Sequence, residues 1–126
     1  MARRIDASTE YRAKVRFAAD GGVFIQPTLV SGGVETSLGS EVRVAGLAPA
    51  VGIFIWLHAT FSGTNPTTIS MRAWADGSAE PATWQLTLTD ATAALQAPGT
   101  VGLRTFLSGT ATNAPVVMTF DDFTVR

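Results

Sequence analysis

The chain has 126 residues, 46% of them hydrophobic and 15% charged, with a formal net charge of −1 and no cysteine. That length suits one domain with its own core, and the composition excludes a disordered chain. The near-neutral balance removes the field that nucleic-acid binding needs, and the missing cysteines exclude disulfides and thiolate metal sites.

Mean hydropathy is +0.24, so apolar surface has to be packed in a core or covered by a partner. No apolar run approaches the roughly 18–20 residues of a membrane-spanning helix. The start, Met1–Ile5, is basic but no apolar stretch follows it, so it does not read as a secretory signal. Arg3 and Arg4 read as a solvated strand end, since two charges are too few to hold a phosphate backbone.

From Tyr11 the residues alternate. Tyr11, Ala13, Val15 and Phe17 share one face, and Arg12, Lys14 and Arg16 the other, which predicts a half-buried strand with a basic outer face. Asp20, Gly21 and Gly22 are turn residues. A strand over 23–30 contains Pro27, which cannot donate to a ladder, so an edge or bulged strand is expected. Gly32-Gly33 predicts a tight hairpin into 34–38, and Gly39-Ser40 interrupts that strand before 41–44. After a Gly- and Pro-containing loop comes the most apolar strand, 53–61. Ile53, Ile55, Leu57, Ala59 and Phe61 are expected inward; Phe54, Trp56, His58 and Thr60 outward. A return strand over 67–74 and another over 84–89 follow. Residues 90–97 form the only helix-like stretch, with Asp90 as its cap and Pro98-Gly99 closing it. Strands over 101–107 and 116–125 complete the pattern.

Strands at intervals of about 8–12 residues, with turn residues between them and almost no helix, indicate an all-β antiparallel β-sandwich or barrel. No repeat or linker divides the chain, so residues 1–126 read as a single domain.

Several segments carry a family likeness in their order. They are Glu10–Phe17 followed by Asp20-Gly21, the stretch Ala73–Trp84 with Trp74, Asp76, Gly77, Glu80, Pro81 and Trp84, then Val101–Arg104, and finally Phe120–Val125. Together they resemble the C-terminal part of bacterial and phage concanavalin A-like (laminin-G-like) jelly rolls. The resemblance implies a jelly-roll β-sandwich lacking its first strands, on a secreted, cell-surface or virion protein. It also implies a possible structural calcium held by an aspartate of the last strand. A sandwich without its opening strands keeps free edges and an uncovered apolar face, so a protein partner, a further copy or additional residues are expected to complete it.

Catalysis finds no support. Glucanases of this fold class place Glu-x-Asp-x-x-Glu on one strand, and no such triplet occurs. His58 is the only histidine, no nucleophile elbow surrounds any serine, and the Gly-Gly pairs precede strands rather than helices. Asp121 and Asp122 are the metal candidates, although neighbouring strand residues point to opposite faces and the plainer reading is that they accept backbone N–H groups. The most suggestive feature is the outward row Phe54, Trp56, His58, Arg72 and Trp74, with Arg12, Lys14 and Arg16 expected nearby. Sugars stack their C–H faces on such rings, and arginine donates to hydroxyls. The same residues also suit a subunit interface or a minor core under loops. Two functions follow: a non-catalytic carbohydrate-binding or adhesion module, or a structural assembly domain such as a phage tail component.

Overall fold

Period-two burial becomes sheet wherever a strand finds a neighbour for its backbone. The computed structural model describes residues 1–126 and is all-β, with antiparallel pairing throughout and no α-helix. One sheet holds β1 (Ala2–Asp6), β2 (Thr9–Phe17), β3 (Val23–Ser31) and β4 (Val34–Ser37) in that order, with the short β5 (Val42–Arg43) also paired to β3. The other holds β6 (Ile55–Ser62), β7 (Thr67–Ala75) and β8 (Leu86–Asp90). Gly32 and Gly33 both take positive φ, 58° and 82°, and join β3 to β4 by a two-residue turn that side chains with a Cβ would strain.

The two sheets meet through their odd-numbered residues. Val23 and Ile25 of β3 pack against Met71 and Ala73 of β7, with Val44 and Leu47 between them. A second cluster joins Tyr11, Leu29, Ile69 and Leu95. On β2 the expected alternation is present: Tyr11 is fully buried, Ala13 and Val15 pack on the first cluster, and only Phe17, at the strand's end, opens to solvent.

Four expectations about local structure need correction. Pro27 lies in an inner strand, since β3 pairs with β2 on one side and with β4 and β5 on the other. Its carbonyl accepts the Leu38 N–H, so its missing N–H falls on that same side, in the gap between β4 and β5 where no ladder partner exists. Arg3 is not a solvated strand end. It lies in β1 and donates to Thr67 Oγ1 at 2.6 Å and to the Gly63 and Phe61 carbonyls at 2.5 and 3.3 Å, tying β1 to the β6–β7 turn. The helix-like stretch is one 3₁₀ turn, Ala93–Leu95, whose N-cap position is Thr92; Asp90 accepts the Thr92 N–H just before it.

The fourth correction is the largest. Neither 101–107 nor 116–125 forms a strand. Thr100 bridges to Arg4, Gly102 bonds Met1, and from residue 103 onward the chain has no ladder partner. A strand is defined by its neighbour, and alternation alone cannot supply one. The same shortage shows on β6, which has β7 on one side only. Ile55 and Ala59 pack on the first cluster and Phe61 on the second, as expected. Leu57, however, is as exposed as Trp56, at 36% each, and Ile53 precedes the strand at 52%.

Candidate functional site

Register builds the site. The β6–β7 pairing sets Trp56 opposite Trp74 and His58 opposite Arg72, and even-numbered residues of both strands point away from the core. Cross-strand neighbours on one face lie about 5 Å apart at Cβ, close enough for rings to touch. Trp56 and Trp74 stack with centroids 6.0 Å apart and planes 10° from parallel. Trp56 donates its indole N–H to Asp76 Oδ1 at 2.8 Å, which fixes the ring.

The next row is polar. His58 Nδ1 lies 2.7 Å from Glu80 Oε1, and Arg72 Nη2 lies 2.6 Å from the same oxygen. Arg72 also donates to the Pro81 carbonyl at 2.7 Å. Its guanidinium sits 4.3 Å above the Trp84 ring, and His58 meets Trp84 edge-on at 4.9 Å. The hydrogen bond from His58, then the charge of Arg72, hold the Glu80 carboxyl below the usual glutamate range. The Arg72 Nε is buried with no partner. Phe54, Trp56 and Trp84 remain 36–44% exposed.

Beside this cluster Phe54, Ile55 and Trp56 border a shallow depression of about 110 Å³, closed by Asp76, Asp121 and Asp122. It is smaller than the ~300–1,000 Å³ of pockets that engulf a ligand. A ligand here would lie on the surface, against rings and carboxylates.

All five residues expected in the outward row, Phe54, Trp56, His58, Arg72 and Trp74, thus belong to one region. Arg12, Lys14 and Arg16 do not join it. They occupy the outer face of the other sheet, where Arg12 and Lys14 pair with Glu35 at 2.7 and 2.9 Å, and Arg16 with Glu41 at 2.6 Å. Sequence reasoning missed Trp84, Glu80 and Asp76. Trp84 covers Arg72 on the outer face. Alternation stops at loops, so nothing in the pattern directs loop side chains onto a face. The one usable signal was Pro81, which stiffens the loop that returns Trp84 toward the strand.

Asp121 and Asp122, the metal candidates, line the depression with Asp76. No three of the chain's histidine and carboxylate groups are placed to hold an ion. Asp121 Oδ1 accepts the Asp122 N–H at 2.9 Å. No protein-family profile matches the chain, and searches of curated proteins and of solved structures return no match either.

Proposed function

We propose that the chain is a non-catalytic glycan-binding module, a jelly-roll-type β-sandwich of the kind carried by secreted, cell-surface or virion proteins. The observation that carries this reading is the row of half-exposed rings, Phe54, Trp56, Trp74 and Trp84, held by a strand register on one sheet face with carboxylates beside it. Sugar C–H faces gain apolar contact on indole and phenyl rings, while Asp121 and Asp122 accept hydroxyl protons. Arg72 binds Glu80 and Pro81 through its two terminal nitrogens and His58 binds Glu80, so they orient Trp84 and leave hydroxyl recognition mainly to the carboxylates. A shallow site of this kind gives weak binding per unit, and repeated copies along a polymer or a surface raise the avidity. Screening against a panel of polysaccharides tests the proposal. Binding to at least one of them, weakened tenfold or more by Trp56→Ala with an unchanged unfolding midpoint, is expected; absence of binding to every member overturns it.

A second reading, a structural assembly domain, is favoured by a different observation. Large apolar side chains are exposed along the whole C-terminal stretch, from Val101 to Val125. Here the sheet serves mainly for protein contacts. This reading fails if the domain remains monomeric and Trp56→Ala alters no interaction.

A further inference from the structure

A folded chain of 13.2 kDa is expected to expose about 6,400 Å². This one exposes 7884 Å², an excess of roughly 1,500 Å². A stable interface takes about 800 Å² from each partner, so the uncovered surface exceeds what one needs.

The excess is concentrated in the C-terminal stretch. Leu103, Phe106, Val117, Phe120, Phe123 and Val125 are each 45–89% exposed. Within 103–126 the only backbone-to-backbone hydrogen bond runs from Ala111 N–H to Ser108 C=O. The segment 116–120 reads Val-Val-Met-Thr-Phe, side chains that favour a strand, yet its amides have no ladder.

The complementary feature is the outer edge of β6. Asp76 N–H bonds Phe54 C=O, so even-numbered residues of β6 are those that bond β7. The odd-numbered Ile55, Leu57 and Ala59 therefore aim their N–H and C=O groups away from the sheet. Farther along that edge, the Phe61 carbonyl is taken by Arg3. The edge is apolar and has no strand beside it, which is what recruits an added strand. The chain's own segment reaches only the start of β6, where Asp121 and Asp122 sit beside Phe54 and Trp56, and forms no backbone bond there.

One chain thus carries both a strand without an edge and an edge without a strand. We infer that a second copy of this chain supplies the match: residues 116–120 of each protomer add to the free edge of β6 in the other, forming a two-fold pair. Equal numbers of donors and acceptors close such a pair without a further component, and the net charge of −1 opposes it little. The inference rests on the assembly reading.

Sedimentation equilibrium of the full chain tests it, alongside Met118→Pro. Proline removes an amide donor from the added strand, and Met118 lies outside every paired element, so the fold survives. The expected result is a mass of twice 13.2 kDa at tens of micromolar, reduced to one chain by Met118→Pro with an unchanged near-ultraviolet spectrum. A wild-type mass of one chain overturns the pair, and the assembly reading then stands only if another protein or further residues of the same polypeptide cover the surface. A pair that persists in Met118→Pro overturns the strand addition alone. A mass that keeps climbing past two copies overturns the closed arrangement.

Discussion

Gln85 is a sharp test of how β7 is held, because its side chain substitutes for missing strand. The ladder between β7 and β8 begins at Met71 and Leu86, and Ala73 lies two residues beyond it. Ala73 is fully buried, so its two backbone groups cannot turn to water. The Gln85 amide serves both: Oε1 accepts Ala73 N–H at 2.9 Å, and Nε2 donates to Ala73 C=O at 3.0 Å. In Gln85→Ala both groups lose their partner. Each unsatisfied buried group costs about 1–3 kcal/mol, and with partial relaxation the pair should cost about 2–4 kcal/mol. That is a large share of the ~5–15 kcal/mol that holds a domain together. Urea unfolding followed by tryptophan fluorescence reads it directly. Gln85→Glu refines the test. Its ionised carboxylate can accept from Ala73 N–H but faces the Ala73 carbonyl with no proton to give. Folding then favours the protonated acid, which raises the folded-state pKa above the unfolded value near 4.3. The stability this group contributes is present below the unfolded pKa and is lost as pH rises through the folded one. The deficit of Gln85→Glu against wild type should therefore shrink as pH falls through the raised folded-state value and level off below about 4.3. A Gln85→Ala loss under about 0.5 kcal/mol, or a Gln85→Glu deficit indifferent to pH, refutes the reasoning.

Two further predictions concern titration and buried charge. Burial, followed by the hydrogen bond to Asp90, pushes the Tyr11 hydroxyl up to about 12. A raised pKa means stability that is complete below the unfolded value near 10 and is lost as pH climbs through 12, a fall of roughly 2 kcal/mol in alkaline unfolding curves. Tyr11→Phe should flatten that alkaline fall; an unchanged slope would refute the assignment. Glu10, 2% exposed, lies 2.6 Å from Arg12, 3.5 Å from Arg4 and 4.0 Å from Arg104. Glu10→Ala leaves Arg12 with Glu35 alone and should cost about 1.5–3 kcal/mol, whereas Glu41→Ala, which breaks a solvent-exposed pair with Arg16, should cost under about 1 kcal/mol. Equal losses in the two variants would show that burial is not what separates them.

Much of the site was legible because alternation along a strand is local. Phe54, Trp56 and His58 face outward by counting from their apolar neighbours, and Arg72 and Trp74 do so on the return strand. Their meeting needed the Trp56–Trp74 register, which belongs to two strands and their connection, not to either alone. The basic row of β2 shows the limit of that logic. Arg12, Lys14 and Arg16 face outward as expected, but outward from the opposite sheet, because which sheet a strand joins is a matter of distant partners. Glu80 and Trp84 entered the site from a loop, where no period applies.

Residue order by itself determined the all-β class, the glycine turn between β3 and β4, and the face each strand residue takes, since all three follow from steric and hydrogen-bonding rules acting over a few residues. Tertiary structure decided which amides find partners. It placed Pro27 inside a sheet by aiming its missing donor at a gap, and it left 116–125 with no ladder although Val, Phe and Thr dominate that segment. Backbone pairing is a property of two segments, and no pattern within one of them can say whether the other is there.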